Sequence, residues 1–228
     1  MNTGQTKADI LTALKSDLDS DDVYAHFIKL DEEKRERILT AAYDEFLEKG
    51  YGEASTNALT KKAGISKGLL FRYFGSKEGL YKFLMIESAR RIAHKALSAL
   101  PSEQGDVFAI IKGIVQHKIA VCLTFPKETN FLIAAWNTNL PDSLREQRKQ
   151  MTSISNNYFD IVCDLLDDSL LRVNLEKTVA AEIIAWVCEK FSDKVLFGGI
   201  VGINEESWNH ISEDLDKYMD ALRCGLYK

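Results

Sequence analysis

The chain has 228 residues, a net charge of −5 at pH 7, 46% apolar residues and three prolines. This length allows one or two domains with a full apolar core. The sequence contains no run of about 20 apolar residues, which argues against a membrane span. A polar stretch at 1–7 and four scattered cysteines predict a cytoplasmic protein with reduced thiols.

Residues 1–30 are expected to form a helical N-terminal extension. Apolar residues follow helical spacing at 10–18, and polar residues at 20–22 separate them from a short segment that carries Tyr24 and Phe27. Because the extension is acidic, we expect a locally packed arm rather than an arm that binds a polyanion.

A long helix is predicted to begin at Asp31, whose carboxylate can accept from the first free amides. It is predicted to end at Gly50, because glycine is common just beyond a helix C-terminus. Ile38, Ala42 and Phe46 form its apolar stripe. We interpret this helix as a scaffold for the two short helices that follow.

The stretch 55–77 holds five basic residues and no acidic residue in an acidic chain. Such an island is either a solvated charged face or an electrostatic footprint for a polyanion. Ser55 and Ser66 are predicted N-caps of two short helices, and Gly64 supplies a left-handed turn between them. Ser76 is expected to cap a third helix. This pattern predicts a helix-turn-helix, whose second helix enters the DNA major groove.

From Ile38 to about Leu84 the sequence resembles the tetracycline-repressor-like family of transcriptional regulators. The resemblance is carried, with every spacing kept, by Ile38, Ala42, Phe46, Gly50, Tyr51, Leu59, Ala63, Gly64, Ile65, Ser66, Lys67, Gly68, Leu70, Phe71, Tyr73, Phe74, Ser76, Lys77 and Leu80. The chain departs from the family pattern at Leu69, where a small residue is common, at Arg72, where histidine is frequent, and at Gly79, where an acidic residue is usual. These departures leave the operator sequence open.

Lys67 and Lys77 lie at predicted helix starts, where free amides favour a phosphate. Base contacts are expected from the outer side of the second short helix, where Gly68 permits close approach and Arg72 can bond bidentately to guanine. The resemblance implies contacts to the DNA backbone at Thr56, Tyr73 and Lys77. The complete predicted DNA-binding set is Ser55, Thr56, Asn57, Lys67, Gly68, Leu69, Phe71, Arg72, Tyr73 and Lys77.

The remainder of the chain is predicted to be helical. Apolar residues repeat at helical spacing over 76–97, 104–125, 131–136, 145–165, 178–197 and from 204 onward. The first of these helices would join the DNA-binding head to the rest. The sequence therefore predicts an all-α fold in three parts. These are an N-terminal helical extension at 1–30, a helix-turn-helix DNA-binding domain at 31–82, and a ligand-binding and dimerisation domain at 83–228.

Two residue sets in the larger domain are candidates for function. Aromatic residues and a few polar ones on its apolar helices are either ordinary core or the wall of a ligand cavity, and the resemblance favours the cavity. This predicted ligand-binding set is Phe108, His117, Trp136, Tyr158 and Trp186. The resemblance also implies that the last two helices pair with a symmetry mate. The predicted dimer interface is Trp208, Ile211, Leu215 and Met219.

The leading hypothesis is a homodimeric repressor that binds double-stranded DNA at a pseudo-palindromic operator. An unknown small apolar or amphipathic ligand would release it. The alternative is a ligand-independent DNA-binding protein of the same fold that acts in chromosome organisation or through a protein partner. An enzyme ranks a distant third, because no Cys/His cluster has metal-ligand spacing and no phosphate-binding loop is present. No metal, no cofactor and no membrane partner is expected.

Overall fold

The structure, a computed structural model, describes residues 24–97, 106–148, 166–197 and 205–227. The helices in these ranges are, in chain order, α1 (Ala25–Ile28), α2 (Glu32–Glu53), α3 (Thr56–Ala63), α4 (Lys67–Phe74), α5 (Lys77–Leu97), α6 (Val107–Thr124), α7 (Pro126–Asn137), α8 (Lys177–Phe197) and α9 (Glu205–Leu226). Residues 142–148 are also helical. The described ranges contain no strand beyond an isolated bridge between Leu171 and Tyr227, and the predicted all-α fold is confirmed. None of the described helices is both long and apolar enough to span a lipid bilayer.

Each helix of the helix-turn-helix, and the helix after it, starts at a serine whose hydroxyl accepts from a backbone amide three residues later. The distances are 3.3 Å from Ala58 N to Ser55 Oγ, 3.2 Å from Leu69 N to Ser66 Oγ and 2.9 Å from Gly79 N to Ser76 Oγ. These bonds satisfy amides that have no partner inside their own helix. The three predicted N-caps are confirmed.

Two glycines with positive φ interrupt or end helices in this region: Gly50 in α2 and Gly64 after α3. Gly64 ends α3 in the left-handed conformation, with φ 65° and ψ 36°, as predicted. Gly50 breaks α2 with φ 71° and ψ 171°, as predicted, although helical residues continue to Glu53. At the other end of α2, Asp31 accepts from Lys34 N at 2.8 Å, which confirms the predicted cap.

Contacts divide the chain into two compact units. Within the described ranges, the head unit contains residues 24–92 and 125–148, and the body unit contains residues 93–124 and 166–227. The sequence analysis placed the last part of the head unit, together with most of α5, in the larger domain.

Helix α7 belongs to the head unit because its apolar face completes the head core. Phe131 is 1% exposed, and its ring lies 5.4 Å from the ring of Tyr43 on α2 and 4.8 Å from the ring of Tyr81 on α5. Leu140 and Leu144, which follow α7, are also buried in this core. An aromatic side chain of this size contributes roughly 3–5 kcal/mol when fully packed, so α7 is an integral part of the head.

A polar cluster inside the head unit joins α2, α5 and α7. Arg91 on α5 donates to Glu87 at 2.8 Å, to Glu128 on α7 at 3.1 Å and to Glu36 on α2. Arg90 makes two further hydrogen bonds to Glu87, at 2.7 and 2.8 Å. Burial alone would raise the pKa of Glu87, but the hydrogen bonds from Arg90 and Arg91 outweigh it and hold that pKa below its usual value.

The body unit has its own apolar core, built by α6, α8 and α9. Phe108, Ile184 and Leu215 are each at most 4% exposed and belong to one cluster. Ion pairs at its surface join Lys112 to Asp216 at 2.8 Å and Arg223 to Asp106.

Candidate nucleic-acid interface

Helix α4 has one buried side and one exposed side. The buried side consists of Leu70, Tyr73 and Phe74, each at most 5% exposed. The exposed side consists of Lys67, Gly68, Phe71 and Arg72, which we call the recognition face. Because these four positions are spaced i, i+1, i+4 and i+5, they lie side by side along the helix. The recognition face therefore combines two cations, an aromatic ring and a residue without a side chain.

Two other residues of α4 that were predicted to contact DNA do not lie on the recognition face. Leu69 is half-buried and packs against the head core. Tyr73 is 5% exposed, and its ring centre lies 5.8 Å from that of Phe27 on α1. The resemblance implied a contact from Tyr73 to the DNA backbone, but its side chain is buried because α1 covers that side of α4.

Most cations of the basic stretch have no acidic partner. Among the residues that the structure describes, no carboxylate pairs with Lys61, Lys67 or Arg72. Lys62 differs, since it donates to Asp44 on α2 at 2.7 Å, and Lys127 on α7 donates to the same carboxylate at 2.5 Å. Burial would raise the pKa of Asp44, but the hydrogen bonds from Lys127 and Lys62 outweigh burial and hold that pKa below its usual value. Lys61 was not among the predicted DNA contacts. Because it is exposed on α3, it is a further candidate for one.

Lys77 is the first residue of α5 and holds that helix against the end of α2. Its Nζ donates to the carbonyl of Gly52 at 2.9 Å and lies 5.1 Å from the centre of the Tyr51 ring. A carbonyl and an aromatic face attract a cation without neutralising it. These contacts place the Lys77 ammonium group at the helix start, where the sequence predicts a phosphate contact.

The start of α3 carries the other three predicted DNA contacts. Ser55 and Asn57 are exposed, and Thr56 is half-buried. The backbone amide of Ser55 donates to the carboxylate of Glu45 at 2.8 Å. An anion at this helix start would therefore lie beside a negative charge, which makes it a weaker phosphate position than the recognition face.

The described members of the predicted ligand-binding set belong to two different units. Phe108 packs in the core of the body unit, with its ring 4.9 Å from that of Tyr227, whereas Trp136 packs against the core of the head unit. Trp186 is 61% exposed on α8. Tyr158 and the side chain of His117 lie outside the described residues.

The predicted dimer residues lie on α9, but the described ones face inward. Ile211, Leu215 and Met219 are 6%, 2% and 4% exposed, and the last two belong to the core of the body unit. The side chain of Trp208 lies outside the described residues. The outer side of α9 carries Tyr218, which is 45% exposed.

A groove of about 700 Å³ lies in the head unit, away from the recognition face. Its lining mixes apolar and charged side chains: Ile28, Glu32, Arg35, Glu36, Leu39, Phe83, Glu87, Arg90, Arg91 and Phe125. None of the described members of the predicted ligand-binding set, Phe108, Trp136 and Trp186, is among these lining residues. In the part of the chain that the structure describes, no three His, Cys, Asp or Glu side chains are grouped to hold a metal ion.

Residues 38–83 match the model of the family described as "Bacterial regulatory proteins, tetR family". The chain is 32% identical over 73 residues to the HTH-type transcriptional regulator BetI of Stenotrophomonas maltophilia, a match that covers 32% of this chain and 37% of BetI. It is 35% identical over 82 residues to the HTH-type transcriptional repressor AcnR of Corynebacterium glutamicum, covering 36% of this chain and 40% of AcnR. The matches thus span less than half of these relatives.

The fold is also that of solved structures. A TetR family transcriptional regulator from Chloroflexus aurantiacus aligns with a TM-score of 0.58 at 22% identity, over 90% of this chain and 98% of that one. The relatives named above are transcriptional regulators, which agrees with the prediction that this chain is not an enzyme. The helix-turn-helix with its recognition face thus lies in a segment, residues 38–83, that matches the tetR family of bacterial regulatory proteins, and the chain shares its fold with a solved TetR family regulator.

Proposed function

We propose that this chain regulates transcription by binding double-stranded DNA with α4 in the major groove. The recognition face carries the proposal, since it holds two cations without a carboxylate partner among the described residues, in a chain of net charge −5. Cations attract the phosphate backbone whatever the sequence, and a bidentate arginine distinguishes guanine from other bases. Burial of the opposite side of α4 holds this face in a fixed orientation. The family membership supports the same activity.

The finer proposal is a homodimeric repressor. A two-fold dimer presents two recognition faces, which would match two half-sites about one helical turn apart in a pseudo-palindromic operator. The name of AcnR, a repressor, supports repression.

Selection of bound duplexes from a random library would test the proposal directly. The wild-type chain should enrich a two-fold-related sequence. Arg72→Ala should weaken binding to that sequence by about 1–3 kcal/mol and should relax the choice at one base pair of each half-site. Lys67→Ala is the control for phosphate attraction, because it should weaken binding to enriched and scrambled duplexes alike and should reduce the salt slope by about one unit. Equal losses on both duplexes for Arg72→Ala would remove its role in base reading.

Gly68→Ala should have opposite effects on folding and on DNA binding, and it therefore tests the two separately. A Cβ at position 68 would meet only Ser66 Oγ, at 3.9 Å, so the free protein has room for it. Alanine should stabilise α4 by roughly 0.5–1 kcal/mol, because glycine is a poor helix former. The added methyl would nevertheless lie on the recognition face, where it obstructs close approach to the duplex. We therefore expect a higher midpoint of thermal unfolding and weaker DNA binding.

Gly113→Ala is the matched control, because Gly113 lies in α6 and a Cβ there meets no atom within 4 Å. This variant should gain similar stability and bind DNA as the wild type does. Full DNA binding by Gly68→Ala would show that α4 does not approach the duplex at this residue.

We also propose that a small apolar or amphipathic ligand releases the repressor from DNA. This part of the proposal has an alternative. The alternative, a ligand-independent DNA-binding protein, is favoured by the separation of Phe108 and Trp136 into different cores. A screen of apolar and amphipathic compounds for release of the enriched duplex distinguishes them. A compound that releases DNA must itself bind less tightly when the duplex is present, since coupling is reciprocal. A screen without such compounds favours the alternative.

A further inference from the structure

Helix α1 and Tyr24 before it form part of the head core, although they precede the family match at residue 38. Tyr24 and Phe27 are 2% and 0% exposed. They lie three residues apart and therefore project from the same side of the segment. Arg35 at the start of α2 donates to the carbonyl of Ile28 at 3.2 Å, which fixes the end of α1.

The ring of Phe27 lies directly behind the recognition helix. Its centre is 4.7 Å from that of Phe74 and 5.8 Å from that of Tyr73, both on the buried side of α4. It is also 5.1 Å from the ring of Phe83 on α5. Phe27 therefore fills the angle between α4 and α5.

Tyr24 contacts the junction of the same two helices. Its ring lies 4.9 Å from that of Phe83, and its hydroxyl donates to the carbonyl of Gly79 at 3.1 Å. The two helices meet so closely at Gly79 that a Cβ there would clash with the carbonyl oxygen of Phe74. This contact explains why Gly79 replaces the acidic residue that the family resemblance led us to expect.

An eight-residue helix has little stability of its own, so its orientation depends on what packs against its buried side. We propose that Tyr24 and Phe27 are positioning residues for DNA recognition, which hold the recognition face at a fixed angle by packing behind α4. This inference rests on the proposed function. It gives Tyr24 and Phe27 a role that the family match does not assign and that requires no contact of these two residues with DNA.

Phe27→Leu and Phe131→Leu are a matched pair for the test. Both phenylalanines are at most 1% exposed in the head core, but Phe131 packs against Tyr43, Phe46 and Tyr81 rather than α4. The two variants should lose similar amounts of thermal stability. Only Phe27→Leu should weaken binding to the enriched duplex, by about tenfold or more, which is a loss of about 1.4 kcal/mol or more. Tyr24→Phe, which keeps the ring and removes the hydroxyl, should lose discrimination between enriched and scrambled duplexes while keeping its fold.

Hydrogen exchange without DNA provides a second readout that does not depend on the proposed function. The backbone amides of α4 should exchange faster in Phe27→Leu than in Phe131→Leu. Amide exchange measures how easily a single helix opens, and only Phe27→Leu removes packing from α4. Equal exchange in α4 and equal losses of DNA affinity would overturn the positioning role and leave only a contribution to stability. If the wild type binds no duplex, the proposed function fails, and the exchange comparison still decides whether these residues hold α4.

Discussion

Replacing Leu215 by aspartate is expected to unfold the body unit, rather than only to separate a dimer. Leu215 is 2% exposed and packs in one cluster with Phe108, Ile184 and Met219. Loss of a core leucine side chain costs about 2–5 kcal/mol, and burial of an unpaired carboxylate adds several more. The sum is comparable with the whole free energy of unfolding of a typical domain, roughly 5–15 kcal/mol.

Thermal unfolding followed by circular dichroism, together with sedimentation, would measure both consequences. Tyr218→Asp is the control for thermal unfolding on the same helix, because Tyr218 is 45% exposed and its replacement should leave the fold in place. A well-folded Leu215→Asp monomer would contradict the expectation and would assign Leu215 to the interface between chains.

The dimer interface remains a prediction, and exposed apolar residues are now better candidates for it. Val179 and Trp186 are 41% and 61% exposed on α8, and their spacing of seven residues places them on one side of the helix. Together with Tyr218 they offer surface that a second copy would remove from water. A change in oligomeric state for Trp186→Asp, with the fold retained, would support this assignment.

Local features of the head were predictable from the sequence because they satisfy backbone groups within a few residues. A serine hydroxyl three residues before an amide, as at Ser55, Ser66 and Ser76, caps a helix in almost any surroundings. Gly64 was equally readable, since the left-handed turn after α3 strongly favours glycine. These rules place the helix-turn-helix and therefore most of the recognition face.

Contacts between distant segments were not predictable in the same way. The direction of Tyr73 depends on Phe27, which lies 46 positions earlier and in a helix of only four residues. The membership of α7 in the head depends on where Phe131 finds partners, and apolar spacing says only that it will be buried. Trp186 was difficult to assign for the same reason. An aromatic residue at that position is compatible with burial in a ligand cavity and with burial between two chains.

Replacing Arg91 by methionine is expected to destabilise the head unit by about 3–5 kcal/mol, because it leaves the largely buried Glu128 without the cation of Arg91 and leaves Glu87 with Arg90 alone. The side chains of Glu87 and Glu128 are only 8% and 10% exposed, and Arg91 donates to both. Denaturant unfolding would measure the loss. Glu128→Gln in the same background should recover part of it, because the amide keeps the shape and removes the charge. Arg145→Met is the control, since its pair with Asp142 is exposed and such pairs contribute little.

Lowering the pH should reduce the difference in the free energy of unfolding between Arg91→Met and the wild type. In the wild type the pKa of Glu87 is lowered by Arg90 and Arg91, against the effect of burial, so ionised Glu87 stabilises the fold above its unfolded pKa. That contribution is lost as the pH falls from about 5 through its folded pKa. In Arg91→Met the same fall in pH removes the negative charge that the substitution leaves without a cation, which relieves the penalty. The free energies of unfolding should therefore differ most at pH 7 and converge as the pH falls from about 5 through the folded pKa of Glu87. A difference that stays constant over this range would mean that Arg91 stabilises the head by packing and not by its charge.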